Sequence, residues 1–290
     1  MPIAPASLVI GAPRVPLPFG LFSTFTLREA GADRWETGVQ FETDPCDPVD
    51  GIGYYDWCNP GATVGLPKDL AKNMSLVGKA TPFSVYGHFQ CSPVGWSPER
   101  AQDMATAHLL DREEQRVERA LATGDLGNIP NLFTDVDGTG SNPTILTDPG
   151  GSTPNSPAVC LGLLENFIAQ TYGSMGVLHM SRGAAMVLTN NGMLQRQGTR
   201  LTTMVGTPVA AGGGYPGTAP AGAPNPPSLA AWVYASPAVF GYRSEVFTSS
   251  NVRGDLMDRN TNNLYAVAER SYLIGFDTCG VGAALMDLDV

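Results

Sequence analysis

The sequence predicts an α+β fold. Three observations carry that expectation: a long helical segment from Ser97 to Gly124, a second and more apolar helix after Ser156, and strand-like runs from Arg200 to the C-terminus. The first roughly eighty residues hold no convincing helix longer than two turns, which would be unusual inside a compact monomer. If that region is ordered, other copies of the chain are expected to cover much of it.

Residues 1–21 contain five prolines and no helical pattern, so they read as an extended arm. Phe22–Leu27 and Thr37–Glu42 are short strand-like runs, and Asp44–Pro48 and Cys58–Gly61 are turn clusters. Pro82–Phe89 alternates as a strand and leads into the long helix. Ser97 is a natural N-cap, Pro98 fits the first turn, Glu99 suits the positive helix end and Gly124 suits a left-handed C-cap. Roughly 25 helical residues would span nearly 40 Å. The apolar stripe of that helix is thin, made of Met104, Leu109, Leu110, Val117 and Leu121, and its middle, Asp111–Arg116, is almost wholly polar. Such a helix is expected to lie across a surface that cannot bury it.

Residues 125–155, rich in Gly, Pro, Asn, Asp and Thr, read as a linker or broad surface loop. Ser156-Pro157 repeats the Ser-Pro start, and Val159, Cys160, Leu163, Leu164, Phe167 and Ile168 give a packed helix to about Tyr172. A strand over Gly176–Met180 follows, then a short helix capped by Ser181 and closed near Gly192. Arg200–Val209, Leu229–Tyr234 and Val239–Phe247 read as strands. Leu264–Phe276 and Val281–Leu288 read as a hairpin about Asp277–Gly280.

Composition narrows the function classes. The chain has 290 residues, enough for one large or two modest domains, yet only 15% are charged. The usual share is about a quarter, so repulsion between copies is weak and self-association is favoured. The formal charge of −10 argues against a phosphate-gripping protein. Lys68, Lys72 and Lys79 are the only lysines. Five cysteines without CxxC spacing, and no secretory signal, imply reduced thiols, although Cys46 and Cys58 could pair outside the cell. No stretch approaches the ~20 apolar residues of a membrane span, so no membrane partner is expected.

Motifs for chemistry fail on context. Gly212–Gly217 matches G-x-G-x-x-G by letters, but proline-rich sequence follows where a nucleotide site needs a helix. Asp135–Gly138 lacks the later ligands of a calcium loop and reads as a turn. Tyr172–Gly176 fits a helix C-cap better than a nucleophile elbow. His88, His108 and His179 lie far apart in sequence, none at metal-ligand spacing. No catalytic residue, cofactor or metal is expected.

The order of elements resembles the major capsid proteins of tailed phages, the Hong-Kong-97-like fold shared with encapsulin shells. Locally, Cys91–Gly95, Gly176–Arg182, Gly206–Ala210 and Asn263–Arg270 are similar to actinobacterial-phage head proteins. The resemblance implies an N-terminal arm (1–34) and an extended loop (35–80). It implies a peripheral domain (81–125 and 236–290) with a spine helix at 98–122, and an axial domain (126–235). It implies a structural shell protein, not an enzyme, that assembles through pentamers and hexamers into an icosahedral capsid in the host cytoplasm. A separate scaffold, or a matured chain, is implied by the absence of a charged N-terminal scaffolding region. A portal protein and non-specific proximity to packaged DNA are implied as well. Candidate contacts between subunits are Lys68, Lys72, Lys79, Arg112, Glu113 and Arg116. Some members of the fold cross-link a loop lysine to a neighbour's asparagine, and only the three lysines could serve. An encapsulin-like compartment shell and a tail-tube or neck-ring protein are the alternatives.

Overall fold

The computed structural model describes residues 14–29, 35–43, 76–92, 97–137, 140–150, 153–248, 257–258 and 263–289. In chain order the strands are β1 (Arg28–Glu29), β2 (Val39–Thr43), β3 (Leu76–Ala80), β4 (Pro82–Cys91), β5 (Thr144–Leu146), β6 (Val177–His179), β7 (Leu194–Gln197), β8 (Arg200–Thr203), β9 (Pro208–Ala210), β10 (Ala230–Ser236), β11 (Val239–Arg243), β12 (Phe247–Thr248), β13 (Met257–Asp258), β14 (Asn263–Phe276) and β15 (Gly282–Asp287). The helices are α1 (Pro98–Leu110), α2 (Glu113–Thr123), α3 (Pro157–Phe167) and α4 (Arg182–Asn190).

Two sheets divide the strands. In the first, β14 pairs with β4 along one side, from Leu264↔Cys91 to Leu273↔Pro82, and with β11, β12 and β13 in turn along the other. Side chains alternate between faces: Phe83, Val85, Leu264, Ala266 and Ala268 are buried, while Ser84, Tyr86, Tyr265 and Val267 face outward. The second sheet runs β5-β15-β10-β6-β9-β8-β7. Its central strands β10 and β15 are apolar on both faces. α3, through Cys160 and Leu164, and α4, through Ala184 and Leu188, join the core on that sheet. β2 and β3 form a separate antiparallel pair.

The segment expected as one helix is two. α1 ends at Asp111, and Arg112, with φ −131° and ψ 0°, caps α2. Alanines share the contact with larger side chains: Ala101, Ala105 and Leu109 are buried from α1, and Val117, Ala120 and Leu121 from α2. At about 100° per residue, positions four apart advance about 40° around a helix, so a straight continuation past Leu109 would swing Val117 and Leu121 away from the direction Ala101 faces. The break at Asp111–Arg112 resets that direction, so each helix buries one face while the opposite face stays exposed.

Close approach depends on Gly87 of β4. A Cβ there would lie 2.5 Å from the Ala105 carbonyl oxygen and from the Leu109 amide nitrogen, both backbone atoms that cannot rotate away. Gly87→Ala is therefore expected to destabilise the protein by about 2 kcal/mol through overpacking, measured by denaturant unfolding. Gly162→Ala, with open space around its Cβ, is the control.

Other expectations need correction. Phe22–Leu27 is not a strand, because the Ser23 and Thr24 hydroxyls donate to the Gly20 and Leu21 carbonyls at 2.7 Å and close a 3-10 turn at Leu21–Ser23. Residues 125–155 are more than a linker. Leu132, Phe133 and Val136 enter the core, Asn131 Oδ1 accepts the Phe133 and Thr134 amides, and Phe133 stacks on Tyr234. The run Arg200–Val209 is two strands, β8 and β9, joined by a turn, and β7 was not foreseen. Finally, β14 and β15 are not a hairpin. The connection between them carries the chain from the first sheet to the second, where β15 pairs with β10 and β5. Cys279, in that connection, is disulfide-bonded, contrary to five reduced thiols, while Cys91 and Cys160 are free. Cys46 and Cys58 lie outside the described residues.

Candidate functional site

The first turns of α2 carry three acids that all turn inward. Glu113 Oε2 accepts from Arg270 Nη1 at 2.9 Å and from the Tyr272 hydroxyl at 2.7 Å, with both charged side chains mostly shielded from water. Glu114 Oε1 accepts the Phe22 amide at 2.8 Å. Glu118, one turn on and 1% exposed, accepts the Leu21 amide at 2.9 Å on one oxygen and the Gly214 amide at 2.8 Å on the other. The Glu118 carboxylate thus ties α2 to the arm and to the 212–215 loop. Burial pushes its carboxyl up to about 7, against the pull of the two N–H donors. Glu114 is also raised, again chiefly by burial.

The same seat explains the glycines that matched a nucleotide motif. A Cβ at Gly20, Gly212 or Gly214 would run into the Glu114 or Glu118 side chains, or into the α2 backbone. Arg182 completes the clamp: its Nη1 donates to the Pro18 carbonyl at 3.0 Å and to Ala211 at 3.3 Å, and the Ala211 amide donates to the Phe19 carbonyl. This site was not foreseen. Its signal was present, since Glu114, Val117, Glu118 and Leu121 stand at i, i+3, i+4 and i+7 and place two acids within the apolar face.

His179, in β6, is fully buried, with Nδ1 3.0 Å from the Tyr215 hydroxyl and Nε2 2.8 Å from Ser236 Oγ. The Ser236 hydroxyl donates to the Pro237 carbonyl, so the network assigns the proton to Nε2 and leaves Nδ1 to accept from Tyr215. Burial pulls the imidazole down to about 3, so it stays neutral. His88 and His108, far apart in sequence, meet in space: His108 Nδ1 lies 3.0 Å from the His88 carbonyl oxygen.

Of the predicted contact residues, Lys68 and Lys72 lie outside the described residues. Lys79 is exposed on β3, opposite Gln40. Glu113 is engaged within its own chain, as above. Arg112 and Arg116 are exposed at the helix break, where with Arg14, His88 and His108 they line a cleft of about 270 Å³ against β4. Their grouping with Arg14 and the two histidines had no sequence signal, because Arg14 and β4 are distant in the chain.

No protein-family model matches the chain, and no curated protein matches it in sequence. Solved structures do match over nearly its whole length. The SrpI encapsulin of Synechococcus elongatus PCC 7942 is 10% identical, with a TM-score of 0.53 over 98% of this chain and 92% of that one. The capsid protein of an empty GTA particle is 12% identical, with a TM-score of 0.53 over 98% and 95%. A structure from Mycobacterium phage Che8 is 11% identical, with a TM-score of 0.51 over 99% of this chain and 97% of that one. The fold is therefore the Hong-Kong-97-like fold of phage capsid and encapsulin proteins.

Proposed function

We propose that the chain is the major capsid protein of a tailed double-stranded DNA phage, self-assembling through pentamers and hexamers into an icosahedral shell around the genome. The observation that carries this reading is the likeness to the capsid of an empty GTA particle from end to end, covering 98% of this chain and 95% of that one. Low charge and exposed apolar side chains support it. Met175, Met186, Met204 and Val205 are 62–77% exposed, surface that further copies would cover. In this reading the protein is structural and resides in the virion.

The proposed division follows the two sheets. Residues 1–34 are the arm and 35–80 the extended loop. The first sheet with α1 and α2 is the peripheral domain, drawn from 81–125 and 236–290, and residues 126–235 supply most of the axial domain, to whose sheet β15 adds. Lys68, Lys72, Lys79, Arg112 and Arg116 are proposed contacts between subunits. A separate scaffold and a portal are proposed partners, and packaged DNA a non-specific neighbour that an acidic wall would repel. Expression followed by electron microscopy tests the reading: shells built of five- and six-fold rings are expected, alone or with a scaffold. A homogeneous monomer under all conditions would sink it. The encapsulin likeness, equal in TM-score, favours one second reading, a protein compartment, which an enzyme packed inside purified particles would establish.

A further inference from the structure

The connection between the two sheets carries a sulfur that is already bonded. Cys279 is disulfide-bonded, whereas Cys91 and Cys160 are free. The chain has five cysteines, so the second sulfur is that of Cys46 or Cys58, which lie outside the described residues and fall between β2 and β3 in sequence. The strand pair lies beside the connection: a Cβ on Gly78 of β3 would come within 2.9 Å of Thr278 Cγ2, on the residue next to Cys279. Among the described residues β2 and β3 pair only with each other, and a two-stranded sheet by itself is marginal. Side chains add ties at its root, with Phe41 edge-on to Phe240 at 4.9 Å and Trp35 stacked on Tyr242 at 6.1 Å.

We propose that Cys279 and its partner cysteine form a thiol–disulfide lock, open in a reducing cytosol and closed, within one copy of the chain, once the protein meets an oxidising medium. The passage from one medium to the other rests on the shell reading above; the bond itself does not. Thiols are kept reduced inside most cells, and disulfides persist outside them. Closure needs an oxidant, which a low-molecular-weight disulfide supplies. One cysteine thiolate displaces a small thiolate to give a mixed disulfide, and the second cysteine thiolate displaces the other. The two protons lost by the cysteines end on the two small thiols released. The closed bond ties the stretch between β2 and β3 to the point where the chain passes from the first sheet to the second, and it closes a loop that takes in most of the chain. A cross-link over so long a loop removes much of the freedom of the unfolded chain. Cys279 is only 8% exposed, so a reductant reaches the bond slowly while the chain is folded.

The test traps thiols of the full chain with N-ethylmaleimide in denaturant and reads the digest by mass spectrometry. In protein trapped at cell lysis, Cys279 is expected to carry the label. After the same protein is exposed to oxidised glutathione, the Cys279 peptide is expected to be joined to the Cys46 or the Cys58 peptide. C46S and C58S identify which, because one loses the link and the other keeps it. Light and heavy chains mixed before oxidation are expected to give links within one isotope only. A Cys279 that is fully labelled after oxidation, links between isotopes, or a bond already closed at lysis overturns the inference. The melting temperature of the oxidised native chain is expected to fall by about 8 °C in dithiothreitol and that of C279S to stay where it is. No fall in the native chain overturns the inference without recourse to any variant. Particles whose Cys279 stays open under the oxidant leave the shell reading standing, and a closed bond in a chain that never forms particles sinks that reading and keeps the bond.

Discussion

Replacing Glu118 by alanine is expected to loosen residues 18–24 from α2 and to lower the melting temperature by about 10 °C. The Leu21 and Gly214 amides, both bonded to this carboxylate, would be left buried without an acceptor. Each orphaned donor costs about 1–3 kcal/mol, and the glycine-lined seat around the carboxylate would become a cavity. Removal of a buried charge offsets part of this, so a net loss of about 3 kcal/mol is expected. Amide hydrogen exchange separates this account from a general loss of stability. Leu21 and Gly214 should lose protection before the β14 amides do, and loss in step with β14 would show that the carboxylate is no clamp. Glu118→Gln, which retains one acceptor, should fall between alanine and the native chain.

What the sequence made legible is local. Ser97, Ser156 and Ser181 were readable as caps because each side chain accepts an amide three residues on, a pattern confined to one turn. Gly124, Gly173 and Gly192 have the positive φ their helix-closing positions demanded. The errors are non-local. β14 and β15 look like a hairpin because a short polar turn joins two apolar runs, yet the strand that β15 needs is β10, about fifty residues earlier. The stripe of the long helix was legible in part: Leu109, Val117 and Leu121 are buried as their spacing implies, Leu110 is exposed, and the alanines that add to the buried face were passed over for their size. Ala105 and Leu109 approach β4 closely because position 87 has no Cβ, and that glycine lies on another element. Glu118 was the most consequential omission: its two hydrogen-bond partners are 97 and 96 residues away, and only their tertiary meeting makes an acid acceptable in the core.

Stability should depend on pH through two buried groups with opposite signs. Glu118 is raised from 4.5 to about 7, so between those values the folded chain holds a proton the unfolded chain lacks. Its contribution grows as pH falls through that window, by up to about 3 kcal/mol, and is lost as pH rises. His179 is lowered from 6.5 to about 3, so the unfolded chain holds the extra proton. Stability is lost as pH falls from 6.5, by up to about 5 kcal/mol near pH 3. Between pH 6.5 and 4.5 the two slopes each amount to about one proton and cancel, leaving a plateau; below 4.5 only the histidine acts. Glu114, raised in the same direction as Glu118, adds stability of the same sign as pH falls toward 4.5 and tilts the plateau upward at its acid end, while Arg182 limits the rise of Glu118. Unfolding free energies from pH 8 to 4 are expected to show the plateau in the native chain and a decline starting near pH 6.5 in Glu118→Gln. In His179→Gln they should rise as pH falls from 7 to 4.5. Difference curves against the native chain cancel the contribution of the other carboxylates. Parallel curves for all three proteins would mean that neither group titrates as its burial requires.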